Sequence, residues 1–399
     1  MHRDRPQIRA PWVGLGGKTF AGLADRNQTT SSGAPAERLA DKCEAPIPVW
    51  CKDVYLNSST SNGTLQFSRS GVYNAERYTL HRGYIPIVSY VHRRPEAFRL
   101  TIASLRRLQG IAGTMLVVFF DPSPDRETYI DMVASAVDFC QLIVVRNPPH
   151  LAPALACGAV WSLKWTWLNV QRYVFQELFS TLASDVLFIE EDHMVSSVDT
   201  YRMLHALSRL KREGRAGNHG LPPVSTISLS TPGGFKQETI FVEGTGVSDV
   251  RITQQFSNTG YAFNRSFWAK MWPFVAASSF EDWDWTTYVY LSSMGSANHH
   301  LRPAINRILN SGEYCDFATR GLHHSSVVSA KPKCGDALEL VSTIDSRSST
   351  SEFNITDLTV RWQAVSAYPV WYANNFNLSA SKEAGAAVVC GRDCIRDAS

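Results

Sequence analysis

From about residue 84, short unbroken apolar runs alternate with stretches whose apolar residues recur every three or four positions. Ile85-Pro-Ile-Val-Ser-Tyr-Val91, Met115-Leu-Val-Val-Phe-Phe120, Leu142-Ile-Val-Val145 and Val186-Leu-Phe-Ile189 have the length and residue types of strands. Between them the period is helical. Pro95 suits a first helical turn, and Phe98, Ile102 and Leu105 then share a face. Asp125 is placed to cap a second helix that aligns Ile130, Val133 and Val137. Trp167, Val170, Val174 and Leu178 mark a third, longer helix. Strands alternating with helices predict an α/β fold with a mainly parallel, right-handed, doubly wound sheet. Past Asp192 the rhythm loosens. Helices are expected over 201–212, 267–274 and 283–291, and strands over 226–230 and 261–263. Residues 1–80, with their Ser/Thr clusters and Gly14-Leu-Gly-Gly17, read as an irregular stem or linker. Residues 81–399 read as one folded domain with a carboxyl-terminal tail, polar and without clear pattern after Asp336.

Composition narrows the class. An apolar fraction of 44% and 11 tryptophans in 399 residues exclude a disordered chain. A net charge of +3, spread along the sequence, argues against nucleic acid as a partner. The eight cysteines are Cys43, Cys51, Cys140, Cys157, Cys315, Cys334, Cys390 and Cys394. Their even number permits complete pairing, and no CxxC spacing marks a zinc site. Sequons begin at Asn27, Asn57, Asn62, Asn264, Asn354 and Asn377. Cysteines and sequons together point to an oxidising, secretory compartment, with most cysteines bridged and Cys390 and Cys394 fastening the tail. Residues 1–30 show no apolar signal region, and no run of about 18 apolar residues marks a membrane anchor. The expectation is that the natural amino terminus lies upstream.

Candidate chemistry gathers at strand ends. Val186-Leu-Phe-Ile-Glu-Glu-Asp-His193 passes from a strand straight into three acids and a histidine. Adjacent carboxylates repel one another, and a hard divalent cation relieves that repulsion. The carboxyl ends of strands are also where open α/β sheets bind ligands. Asp192 is the candidate ligand; an acidic loop after a buried strand fits the same residues. His92-Arg-Arg-Pro95 places cations before a helix amino terminus, which suits a phosphate or a solvated loop. Asp121 ends the second strand, where a ribose or base contact and a plain turn acid are equally open. In Trp161-Ser-Leu-Lys-Trp-Thr-Trp167, Lys164 has the reach for a diphosphate, and most of the rings are expected to pack in the core. In Glu281-Asp-Trp-Asp-Trp285, two acids among tryptophans give a desolvated carboxylate with a raised pKa, which suits a general base; helix capping by Asp282 fits the same residues. Gly321-Leu-His-His324 offers a histidine to complete a metal site, and a structural or exposed histidine pair fits the same residues.

Taken in order, these segments resemble the N-acetylglucosaminyltransferase II family. The likeness is carried by Val91-His-Arg-Arg-Pro-Glu96, Lys164-Trp-Thr-Trp167, Phe188-Ile-Glu-Glu-Asp-His193, Asn258-Thr-Gly260, Trp283-Asp-Trp285, Arg307-Ile308 and Gly321-Leu-His-His324. It runs from about Tyr84 to His324. Lys164 stands where the family usually has histidine, and the stretch 310–320 is longer than the family's link. The resemblance implies a GT-A glycosyltransferase fold: a Rossmann-like donor half fused to an acceptor-binding half. It implies inverting transfer of N-acetylglucosamine from UDP-GlcNAc, with Mn2+, in β-1,2 linkage to the α1,6-arm mannose of an N-glycan on a glycoprotein. By the same resemblance Asp192 and His324 hold the metal. Tyr90, Val91, His92, Arg93, Arg94, Asp121, Val160, Trp161, Ser162, Leu163, Lys164 and Glu191 hold the nucleotide, and Asp284 is the base. The expected location is the Golgi lumen, as a type II membrane protein. A sibling enzyme acting on another mannose, or a glycan-binding protein without activity, shares this pattern.

Overall fold

The computed structural model describes residues 67–92, 94–147, 159–215, 221–230, 246–254, 256–277, 287, 290, 291, 299–310, 353 and 358–362; of residues 159–165, 214, 215, 275–277, 310 and 362 it describes the backbone alone. In chain order the main elements are β1 (Ser68–Arg69), β2 (Ile87–Val91), α1 (Pro95–Arg106), β3 (Met115–Phe120), α2 (Arg126–Ala136), β4 (Gln141–Arg146), α3 (Ala159–Tyr173) and β5 (Val186–Glu190). There follow β6 (His193–Val195), α4 (Thr200–Arg215), β7 (Thr226–Ser228), β8 (Asp249–Thr253), β9 (Tyr261–Phe263), α5 (Arg265–Ala277), β10 (His300–Pro303), β11 (Ile308–Asn310) and β12 (Thr359–Trp362).

Among the described residues a ten-stranded sheet runs in the order β1-β4-β3-β2-β5-β9-β7-β10-β8-β12. It is mixed and mostly parallel. The block β4-β3-β2-β5 is parallel throughout. Antiparallel partners enter at β1 and β9 and between β10 and β8. The parallel block is apolar on both faces because helices cover both. Leu116, Val118 and Phe120 of β3 face one core with Phe98, Ile102 and Leu105 of α1 and Ile130 and Val133 of α2. Met115, Val117 and Phe119 face the other, with Trp167, Leu168 and Val170 of α3 and Phe267 and Trp268 of α5. Such two-sided burial gives continuous apolar runs rather than alternation, so these strands stand out in the sequence.

Two details differ from the expectations. Asp125 sits at the N-cap position of α2, but its side chain makes no capping hydrogen bond. Residues within the stretch read as a linker are tied to the sheet: β1 pairs with β4, and Asn74 Nδ2 donates to the carbonyls of Val137 and Cys140. Of the eight cysteines only Cys140 lies among the described residues, so the expected bridges, those of Cys390 and Cys394 included, fall outside them. Cys140 is a free thiol with 0% exposure, and burial among apolar groups pushes its pKa up to about 12.

The order of strands creates a switch point. From β2 the chain steps outward to β3 and β4, then returns to the other side of β2 as β5. The crossovers therefore leave opposite sides of the β2–β5 junction, and a crevice forms beyond the carboxyl ends of these strands. The loop after β2 and the acidic turn after β5 meet there.

Candidate active site

Four parallel strands end at the crevice, and each delivers polar groups. Strand β2 ends in Tyr90, Val91 and His92; β3 in Asp121; β4 in Asn147; β5 in the turn Glu190–His193. Backbone bonds extend the parallel ladder past the strand ends and hold these residues in register. Asp121 N donates to Val91 O at 3.1 Å, and Asn147 N donates to Phe120 O at 2.9 Å.

Asp121 is the centre of one network. It is 3% exposed. Its Oδ2 accepts from the Tyr90 hydroxyl and from His92 Nδ1, the latter at 2.6 Å, and its Oδ1 accepts from Asn147 Nδ2 at 2.9 Å. The His92 bond puts the imidazole proton on Nδ1. Burial first, then the Asp121 charge, raise the Tyr90 pKa well above its ordinary value, so the phenol stays protonated and donates. Asn147 was not picked out from sequence. It ends β4 as Asp121 ends β3, and that parallel position is the signal that would have found it.

Glu191 is the brace between the two halves of the crevice. Its Oε2 accepts the backbone N–H groups of His92 at 2.8 Å and Arg94 at 3.2 Å, and its Oε1 accepts Arg94 Nε at 2.8 Å. Thr101 of α1 donates its hydroxyl to the Glu191 carbonyl at 2.9 Å. One buried carboxylate thus fixes the β2–α1 loop against the β5 turn. Arg94 also donates through Nη1 to Asp192 Oδ2 at 2.6 Å. Burial opposes the Arg94 charge, but Asp192, Glu191 and Glu190 outweigh it and hold the guanidinium pKa above its usual value.

The cation-binding chemistry lies one step around the turn. Glu190, Asp192 and His193 bring potential ligand atoms within 4.8 Å of one another. Two hard carboxylates in that space fit a small divalent cation. His193 does not fit as a third ligand in this arrangement. Its Nδ1 accepts the Glu190 backbone N–H at 3.0 Å, so in the neutral ring Nε2 carries the proton and has no lone pair to give. Burial lowers the His193 pKa to about 4, which keeps the ring neutral. Its work here is to hold the tight turn that presents Glu190 and Asp192.

The structure thus brings Tyr90, Val91, His92, Arg94, Asp121, Glu191 and Asp192 together around one crevice. The segment Val160, Trp161, Ser162, Leu163 and Lys164 lies in α3, with its side chains outside the described residues. Arg93, Asp284 and His324 also lie outside the described residues. Trp167 is packed as expected, 1% exposed, with its Nε1 donating to the Tyr261 hydroxyl at 2.7 Å.

A family model described as N-acetylglucosaminyltransferase II (MGAT2) matches residues 158–360, just over half of the chain and inclusive of the acidic turn. An Arabidopsis thaliana alpha-1,6-mannosyl-glycoprotein 2-beta-N-acetylglucosaminyltransferase is 26% identical over 261 residues, covering 56% of this chain and 57% of the relative. The Homo sapiens enzyme of the same name is 24% identical over 287 residues, covering 60% and 59%. The chain thus spans less than two thirds of the length of these relatives. Among solved structures, a mannosyltransferase from Pyrobaculum calidifontis in complex with GDP-Man and Mn2+ is 12% identical, covers 67% of each chain and has a TM-score of 0.34. Mouse xyloside xylosyltransferase 1 is 9% identical, covers 54% of this chain and 83% of its own, and has a TM-score of 0.30. With the family model matched over half its length, the chain belongs to the N-acetylglucosaminyltransferase II family of glycosyltransferases.

Proposed function

We propose that this chain is an inverting glycosyltransferase of GT-A type. It moves N-acetylglucosamine from UDP-GlcNAc, in β-1,2 linkage, to the terminal α1,6-arm mannose of N-glycans on glycoproteins. The observation that carries the reading is the acidic turn Glu190–Asp192, set at the switch point of a parallel sheet and bonded to the β2–α1 loop through Arg94 and Glu191. That arrangement puts anionic ligands for a cation beside a guanidinium whose fork suits a phosphate.

In this reading Tyr90, His92 and Asp121 line the nucleoside side of the crevice, with Val91, Arg93 and the helix segment 160–164 beside them. Lys164 and Arg94 face the diphosphate. Asp192, with His324, holds Mn2+, and Glu190 lies within reach of the same ion. The bound ion supplies charge stabilisation for the departing diphosphate. Asp284 takes the proton from the mannose hydroxyl as that oxygen attacks the anomeric carbon from the face opposite the diphosphate. One displacement needs no covalent enzyme intermediate, so no nucleophile is assigned. In this reading the enzyme works in the Golgi lumen, which membership of the family supports. Among the described residues no helix is long and apolar enough to cross a membrane.

The test is transfer from UDP-GlcNAc with Mn2+ to defined mannose-terminated glycans, with the product linkage determined. Asp192→Ala is expected to lose at least about a hundredfold in rate, the scale of losing a main electrostatic stabiliser. Asp284→Asn is expected to collapse kcat while calorimetry shows UDP and Mn2+ binding near wild type. Full activity in excess chelator overturns the metal role, and a preserved kcat in Asp284→Asn removes it as base. A product on a different mannose assigns the sibling activity instead.

A further inference from the structure

Arg94 holds a position that also governs any cation at the acidic turn. Its fork grips two carboxylates at once, Asp192 Oδ2 at 2.6 Å and Glu191 Oε1 at 2.8 Å. The Arg94 side chain is 31% exposed, whereas either acid is 4% exposed, so the guanidinium lies on the solvent side of both. Of the two acids, Asp192 belongs to the group that can hold a metal, with Glu190 beside it. A positive charge hydrogen-bonded to a ligand oxygen repels a dication that shares that oxygen, and at a few ångströms in a partly buried site this repulsion is strong. A guanidinium fork matches a diphosphate as well as it matches carboxylates. The nucleotide therefore offers Arg94 a second partner close to the first.

The backbone need not move for that exchange. Arg94 N remains bonded to Glu191 Oε2, and Pro95 starts α1 immediately after it. The side chain alone turns, from Asp192 toward the phosphates.

We propose that Arg94 makes cation and nucleotide binding interdependent: it weakens the cation site while it grips Asp192, and it releases Asp192 to the metal when a nucleoside diphosphate takes the guanidinium. This rests on the reading above that a divalent cation and UDP share the crevice. It adds a specific consequence, because a salt bridge that served only to brace the fold gives the opposite sign when it is removed. Loss of a brace loosens the turn and weakens cation binding. Loss of a rival charge strengthens it.

The experiment titrates Mn2+ into wild type, Arg94→Met and Arg94→Gln, with and without UDP, and reads free Mn2+ by electron paramagnetic resonance. The Gln variant keeps a donor toward Glu191 and repeats the test should the Met variant not fold. Without UDP, the neutral variants are expected to bind Mn2+ at least about tenfold more tightly than wild type. The tightening of Mn2+ that UDP produces is expected to shrink, and the tightening of UDP that Mn2+ produces shrinks by the same factor. Equal or weaker Mn2+ binding by the folded neutral variants overturns the role of Arg94 while leaving the metal site standing. A wild-type chain that binds no Mn2+ even with UDP overturns the metal-dependent reading itself, and this proposal with it.

Discussion

At Asp121 three donors converge on one buried carboxylate: the Tyr90 hydroxyl, His92 Nδ1 and Asn147 Nδ2. None of these groups is next to the acidic turn in sequence, and the cluster arises only because β2, β3 and β4 are neighbours ending at one edge. A carboxylate so held is pre-oriented, which lowers the entropic loss when a ligand is bound. In the proposed enzyme this acid touches the nucleoside, away from the bond that breaks. Asp121→Asn exchanges an acceptor oxygen for a donor amide facing other donors. The expected outcome is a KM for UDP-GlcNAc at least about tenfold higher, with kcat within about threefold of wild type, because uniform binding is what is lost. Initial-rate kinetics decide it, and an equal fall in kcat at unchanged KM would place Asp121 at the reacting centre instead. Asp121 and His92 were visible in sequence as polar residues at strand ends, but their bond was not. The sequence leaves Arg94 open between a phosphate and a solvated loop, and does not show that its fork rests on Glu191 and Asp192. Single residues announce their chemistry; partners across strands are a property of topology.

The elements divide by how they are buried. β2 to β5 lie between two helical layers and appear in sequence as unbroken apolar runs. β7 and β9, three residues each, are legible from residue type alone, whereas β11 is too short to show a period and β6 begins inside the acidic motif itself. Those short strands are placed by contacts from afar. Gly260 shows how tightly. Its φ is +65°, and its carbonyl accepts Leu229 N at 2.7 Å just before β9 begins. A Cβ there would lie 2.3 Å from Ile308 Cδ1 and 3.1 Å from Ile308 Cβ. Only glycine meets both demands, which gives the Asn258-Thr-Gly260 segment a structural reason. Gly260→Ala combines left-handed backbone strain with a clash against β11, and is expected to destabilise by about 1–3 kcal/mol. Ile308→Val removes the Cδ1 atom nearest the new methyl, so the double variant should recover part of that loss but not the backbone share. Chemical denaturation of the three proteins checks both statements; a Gly260→Ala protein as stable as wild type would show that the turn relaxes freely.

Across the whole molecule, one continuous sheet joins the parallel block that carries the crevice to a second block whose interior is unusually polar. Arg307 pairs with Asp199 there, Lys211 pairs with Asp185, and His300 is 0% exposed in the middle of the block between β7 and β8. In each of these pairs the charge meets an opposite charge, but His300 is held neutral by desolvation. Its Nδ1 meets Thr226 Oγ1 at 2.6 Å, its ring lies 5.9 Å from that of Phe256, and its buried Nε2 makes no hydrogen bond among the described residues. Burial first, then the charge of neighbouring His299, lower its pKa from 6.5 to about 3. The sign follows from proton counting. Below pH 6.5 the unfolded chain takes up a proton at this position, while the folded protein takes none until about pH 3. Stability is therefore unaffected by His300 above pH 6.5 and is lost as pH falls below it, by about 1.4 kcal/mol per pH unit. His300→Gln removes the titration while keeping a polar group toward Thr226. The expected outcome is a lower melting temperature at neutral pH but a shallower fall between pH 6.5 and 4.5 than in wild type. Melting curves for both proteins across that range test it. Parallel curves would mean that His300 gains its proton in the folded state, and that water reaches the centre of the second block.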